Sequence, residues 1–178
     1  WKFLIENFIE PYHVQFVHKT TTNQPLKDHY TIVDGICYGS GINVKEEDEK
    51  NCNALAVTSR YLSLFPNFII GNYFPNQIGV YLNVPISPGE TIQKRKIYTS
   101  DGKNMTEEES NIIKKIWWNV HKEDHKICER LQEGRSSPAS DHGGLLSPYW
   151  EKGVQAFQKL IINATMKHSK TKKGRKNV

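Results

Sequence analysis

Cysteine is scarce in this chain. Cys37, Cys52 and Cys128 are odd in number and widely separated. That argues against a disulfide scaffold and fits a reducing compartment, read here as the cytoplasm. No CxxC or CxH pair occurs, so these residues alone build neither a zinc ribbon nor an iron–sulfur centre. Long apolar runs are missing too, and nothing reaches the roughly 18 residues of a membrane span. The opening "WKFLIENFIE" has no initiator Met and no basic n-region. We therefore expect a fragment or a processed chain, without a signal peptide. In that setting the NxS/T sequons at Asn104 and Asn163 are read as chance. There is no internal repeat.

What is present suits one soluble globular domain with a tail. The chain has 178 residues, 37% hydrophobic and 11% aromatic. Its net charge of +5 is local, because the closing "KHSKTKKGRKNV" holds six Lys and Arg and no acid. The remainder is near neutral. We read 168–178 as a basic disordered tail and expect neither a nucleic-acid nor a membrane partner.

Residues 1–19 read as helical with a break at Pro11, where a new helical segment starts. "NQPLKDH" is a loop, "YTIVDGICYGS" a strand pair, and "NVKEEDEKNCN" a charged loop. Strand-like runs follow at 54–62, 67–74 and 77–84, punctuated at Phe65-Pro66-Asn67 and Phe74-Pro75-Asn76. "ETIQKRKIYTS" alternates as a further strand. Thr106 and Glu109 form a capping box that starts a long helix, ending near Gln132 with Gly134 as its C-cap. A loop, "RSSPASDHGGLLSP", leads to a last helix from about Pro148 to Lys167. Short turns imply antiparallel pairing, so the architecture is α+β with helices on one sheet face.

The long helix carries Ile112, Ile113, Ile116, Trp117, Val120, Ile127, Cys128 and Leu131 on one stripe. The gap in that stripe is Asp124. A carboxylate on a buried face is costly unless it is paired or binds a metal. It points either to a buried cation or indole, or to a metal ligand. In "ENFIEPYHVQFVH", His13 and His18 stand five apart. On a regular helix these would diverge by about 140°. They converge if the helix widens into a π turn or ends at the second His. Two imidazoles and one carboxylate with open positions make the facial triad of non-heme Fe(II) oxygenases, with a zinc hydrolase as competitor.

"WKFLIENFIEPYHVQFVH" closely resembles the iron-site segment of Rieske-type aromatic-ring-hydroxylating oxygenase α subunits. The matching residues are Trp1-Lys2, Glu6-Asn7, Glu10, Tyr12-His13 and His18. "KEDHKICERLQEG" resembles the segment with the third ligand, and "YWEKGVQAFQKLI" the last helix. The resemblance covers about residues 1–165 and implies a helix-grip fold, the Bet v1-like or START-like arrangement. Residues 1–167 would be the mononuclear-iron catalytic domain, with the middle trimmed. His13, His18 and Asp124 would bind one Fe(II). Glu10 would bridge toward a neighbouring subunit's cluster, and Asn7 would lie near the metal. The implied reaction uses O2 and electrons to hydroxylate, dihydroxylate or oxidatively dealkylate an aromatic or amine substrate. The implied partners are a [2Fe-2S] Rieske cluster in an N-terminal domain missing here, a reductase or ferredoxin carrying electrons from NAD(P)H, and two further copies in a homotrimer.

Other residues compete. Asp141 is an alternative third ligand. His121, His125 and His142 are additional metal candidates, with His121 and His125 beside the stripe and read as solvated or outside the ligand set. Tyr12 and Cys128 read as packing, and Trp117 and Trp118 as core and pocket floor. Two alternative functions are a metal-free helix-grip module for an apolar small molecule and a metallohydrolase on the same three ligands.

Overall fold

The computed structural model describes residues 1–50, 57–73, 76–99 and 105–174, with side chains through residue 166. In it six strands lie side by side in chain order, every neighbouring pair antiparallel. They are β1 His29–Asp34, β2 Cys37–Asn43, β3 Thr58–Leu64, β4 Phe68–Tyr73, β5 Gln77–Ser87 and β6 Glu90–Thr99. Four of the five connections are two or three residues long, which leaves hairpins as the available pairing, while β2 reaches β3 through the longer charged loop at 44–57. Helices α1 Lys2–Ile9 and α2 Val14–Val17 precede the sheet. Helices α4 Glu107–Arg135 and α5 Lys152–Gly174 follow it. The α+β helix-grip architecture expected from the sequence is the one observed. The charged loop contains a one-turn helix, α3 Glu46–Glu49. Cys52, the Asn104 sequon and the Phe74-Pro75 step lie outside the described residues.

The inner sheet face is set by period two. Along β5, Gln77, Gly79, Tyr81 and Asn83 are buried while Ile78 and Leu82 are exposed. Ile5 and Ile9 of α1 and Val154 and Phe157 of α5 pack with Tyr38, Ile69 and Tyr81 into one core. Each fully buried side chain of this size stabilises by about 2 kcal/mol. A second cluster joins Tyr73 to Trp117 and Val120 of α4. Gly71 and Gly79 are paired across β4 and β5. A Cβ on Gly71 would sit 2.2 Å from Tyr73 Oη, and one on Gly79 would sit 2.4 Å from Tyr81 Oη. Glycine is therefore needed there, because two tyrosine rings lie flat across the sheet and form the pocket floor.

Three boundaries differ from expectation. The capping box at Thr106 and Glu109 forms, but α4 passes Gly134 and closes at Ser136. The Arg135 guanidinium donates to Ser140 Oγ (2.7 Å) and its carbonyl (2.9 Å), so side-chain contacts hold the last turn where a left-handed glycine was expected. Helix α5 begins at Lys152 rather than Pro148. Residues 147–151 form a turn in which the Ser147 amide donates to the Glu151 carboxylate at 2.6 Å. The backbone of α5 continues through Gly174, into the segment read as a tail; 175–178 lie outside the described residues.

Candidate metal centre

Pro11 shapes this site by ending α1. Its carbonyl accepts from the Val14 amide at 3.2 Å, starting a separate four-residue helix. His13 and His18 are the N-cap and C-cap of that helix. The helix therefore ends at the second histidine, and no π turn is needed. The Thr22 and Asn23 amides then fold back onto the His18 carbonyl at 3.1 and 2.8 Å. This brings the two rings to a centroid separation of 5.2 Å.

Asp124 meets them from α4. Its Oδ1 lies 3.0 Å from His18 Nε2 and 3.5 Å from His13 Nε2. One ligand atom from each of the three residues falls within 4.8 Å of the others. Yet Oδ1 is buried and has no aligned hydrogen-bond donor, despite those short separations. Close but misaligned, the atoms point at a common centre more than at one another. Two nitrogens and a carboxylate oxygen suit a first-row divalent cation, so the residues present fit an iron site.

The outer nitrogens are also held. His13 Nδ1 contacts the Glu10 carboxylate, which also accepts from the Tyr12 and His13 amides. His18 Nδ1 is 2.7 Å from Glu123 Oε2. Glu123 accepts from the Thr20 and Thr21 hydroxyls as well, at 3.1 and 2.7 Å. A carboxylate on Nδ1 fixes the tautomer and leaves Nε2 as the electron-pair donor. Sequence reasoning missed Glu123. The signal was the adjacent acid pair Glu123-Asp124, whose second member alone fell in the apolar stripe. Changing Glu123 to Gln is expected to weaken Fe(II) binding by about 10- to 100-fold without removing it. Anaerobic titration checks this, and unchanged affinity would make Glu123 a surface group.

Charge at the metal-free site is strongly coupled. Burial disfavours the His13 cation, but Asp124 and Glu10 outweigh it and push its pKa up to about 9. His18 is raised too, with burial opposed by Asp124 and Glu123. Burial would raise the Asp124 pKa, but the two imidazoles hold it well below the usual carboxylate range. His29, at the start of β1, goes the other way. Burial and the neighbouring His13 charge push it down to about 4, and neither ring nitrogen has a partner.

These residues line a chamber of about 50 Å³, walled also by Asn7, Tyr61, Tyr73 and Trp117. Asn7 is buried, so the structure brings all five site residues expected from the sequence into one region. A larger pocket of about 840 Å³ lies between the inner sheet face and α4, and shares Trp117, His121 and Asp124 with the chamber. His121 is near the centre: its Nδ1 is 4.0 Å from Asp124 Oδ2, and Nε2 is buried without a partner. His125 is exposed beside Glu129. Asp141 and His142 lie on the exposed connection after α4, where Asp141 faces Arg135 at 3.9 Å. Trp117 is core, stacked on Tyr73 at 3.9 Å with its indole donating to Gln77 Oε1. Trp118 is not core. It is 61% exposed at the pocket rim, because it lies one residue off the buried face.

Residues 1–166 match the family of ring-hydroxylating α subunits, over its catalytic domain. The chain belongs to that family. Chloroplastic choline monooxygenases are similar in sequence. The Atriplex hortensis protein is 28% identical over 165 residues, covering 88% of this chain and 35% of that one. The Beta vulgaris protein is 27% identical over 161 residues, with the same coverages. Crystal structures of the quaternary ammonium Rieske monooxygenase CntA share the fold. The inhibitor complex has a TM-score of 0.71 at 18% identity, covering 90% of this chain and 45% of that one. The complex with L-carnitine has a TM-score of 0.63 at 17% identity, covering 90% and 44%. The chain thus spans about a third of the length of these curated relatives. It is the catalytic-domain part of a Rieske-type oxygenase α subunit, a family with non-heme iron and a Rieske cluster. No helix among the described residues is long and apolar enough to cross a membrane.

Proposed function

We propose that His13, His18 and Asp124 hold one Fe(II), and that the whole protein is a monooxygenase acting on a small organic molecule. The observation that carries this is the convergence of two Nε2 atoms and an orphaned Asp124 Oδ1, with both Nδ1 atoms held by carboxylates. The bound metal would supply reductive activation of O2. The balanced change is RH + O2 + 2e⁻ + 2H⁺ → ROH + H2O.

The chain's own residues have definable tasks. Glu10 and Glu123 keep both imidazoles oriented, and Asp124 supplies the anion. Tyr73, Trp117 and Val120 keep the wall beside the centre apolar and limit water. A chamber of about 50 Å³ has room for O2 or a few waters, at about 10–15 Å³ each. The adjoining pocket of about 840 Å³ has the size of a small-molecule site. Substrate would enter there and present its reacting carbon across His121 and Asp124.

The relatives' names favour a monooxygenase, and hydroxylation beside nitrogen gives dealkylation. Dihydroxylation of an aromatic ring is the second product class this family supports. Glu10 as the bridge to a neighbouring subunit, a reductase or ferredoxin fed by NAD(P)H, a homotrimer and a cytoplasmic location belong to the same proposal; the plant relatives are chloroplastic. The test compares Fe- and Zn-loaded full-length protein with a reductase under ¹⁸O2. One ¹⁸O atom in the product, with iron and reductant both required, is the expected result. Hydrolysis by the zinc form without reductant would replace the oxygenase with the metallohydrolase.

A further inference from the structure

We infer that the substrate carries an anionic group, a carboxylate, and that Arg95 binds it. The inference rests on the oxygenase reading above and assigns that site its substrate class.

Arg95 is paired with Tyr81 across β5 and β6, so its side chain leaves the sheet on the inner face. The alternation of β6 places Thr91, Gln93, Arg95 and Ile97 on that face, and all four line the larger pocket. No other Lys, Arg, Asp or Glu among the described strand residues shares this face. The guanidinium lies over the Tyr81 ring, 5.3 Å from its centroid, and its Nε–H donates to Gln93 Oε1. Among the described residues it has no carboxylate partner. The residue is solvent-exposed overall, at the mouth of the pocket. Partial desolvation by the wall lowers its pKa from the ordinary value, and the charge of Asp124 is felt there without a direct ion pair. Arginine carries five donors in a planar fork that matches a carboxylate two-to-two. Here most of that fork faces the pocket unused.

Lys114 and Lys115 add positive charge to the described lining, His121 and His125 border it as well, and Asp124, assigned to the metal, is the one acid among the described lining residues. A bare cation such as choline would meet Arg95, Lys114 and Lys115, with Asp124, committed to the metal, as the one counter-charge among the described lining residues. A carboxylate at Arg95 would place the rest of the molecule along the Tyr81 ring toward His121, whose ring centroid lies 5.7 Å from that of Tyr81, and then Asp124. An anion combined with an apolar or trimethylammonium end satisfies both ends of the pocket.

Calorimetry on anaerobic, Fe(II)-loaded full-length protein tests this with benzoate, γ-butyrobetaine and choline. Both carboxylates should bind and choline should not. Arg95→Gln should weaken the two carboxylates by about 10- to 100-fold, and Arg95→Lys should recover part of the loss. If Arg95 only braces Tyr81, the glutamine variant would lower thermal stability and leave carboxylate binding intact. That outcome overturns the proposal. So does choline binding as tightly as the carboxylates, or no saturable carboxylate binding up to about 10 mM. Iron content is measured on the same samples, so failure of the metal site is read separately from failure at Arg95.

Discussion

Asp124→Ala is expected to take the iron content from about one per chain to near zero, with Fe(II) affinity falling by more than about a thousandfold. Asp124 is the only anion among the three converging ligands, so its loss leaves two neutral imidazoles facing a divalent cation. The effect should exceed that at Glu123, which touches His18 and lies outside the ligand set. His13→Ala should match Asp124→Ala, since it too removes a ligand atom. Asp141→Ala is the control. That carboxylate has a side-chain exposure of 77% and faces Arg135 outside the pocket. Its loss should leave iron content unchanged. Metal analysis after anaerobic reconstitution and desalting reads all three variants. About one iron retained in Asp124→Ala would place the third ligand elsewhere and remove the argument for an oxygenase.

Much of this site was legible because its two halves obey local rules. Pro11 announces a helix break, and His13 and His18 bracket the turn that follows. A gap in an apolar stripe marks Asp124, and it holds even though the stripe's ends fray into solvent. Ile112 and Leu131 are 54% and 43% exposed, because a long helix touches the sheet only along its middle. The fold was legible for the same reason, since strands joined by short turns, as all neighbours but β2 and β3 are, have few ways to pair.

What was missed depends on residues distant in sequence. Glu123 sits about 100° around α4 from Asp124 and matters only because His18, Thr20 and Thr21 arrive beside it. His29 starts a strand that periodicity alone would make ordinary. Arg95 was half visible: the alternation of "ETIQKRKIYTS" puts it with Gln93 and Ile97. Sequence did not show that this face looks into a pocket. Helix ends were the other loss, because α4 and α5 are closed by Arg135–Ser140 and Ser147–Glu151 contacts that no propensity encodes.

Stability of the metal-free chain is expected to peak near pH 6.5 and to fall on both sides, for opposite reasons at two histidines. His13 has a folded pKa of about 9 against the ordinary 6.5. Its contribution is therefore complete below 6.5 and is lost as pH rises toward 9. The loss is on the order of 3 kcal/mol. His18 shifts in the same direction and adds to it. His29 is depressed to about 4 from the same 6.5. The unfolded chain takes up a proton there while the folded chain resists, so this contribution is present above 6.5 and is lost as pH falls toward 4. Asp124, held low by its imidazoles, adds a further loss below the ordinary carboxylate value of 3.8. Denaturant unfolding at pH 4.5, 6.5 and 9 reads the dome. His29→Leu should flatten its acid side and cost little at pH 6.5, since it replaces a buried ring with two unpartnered nitrogens by an apolar side chain. Adding Fe(II) should flatten the alkaline side, because bound imidazoles stay neutral at their ligand nitrogen. Iron binding below pH 9 should then release protons, seen as a dependence of the calorimetric heat on buffer ionisation. Equal stability at pH 6.5 and 9 without metal would mean that Asp124 and Glu10 do not hold a proton on His13, and that the three groups are farther apart in solution than the structure places them.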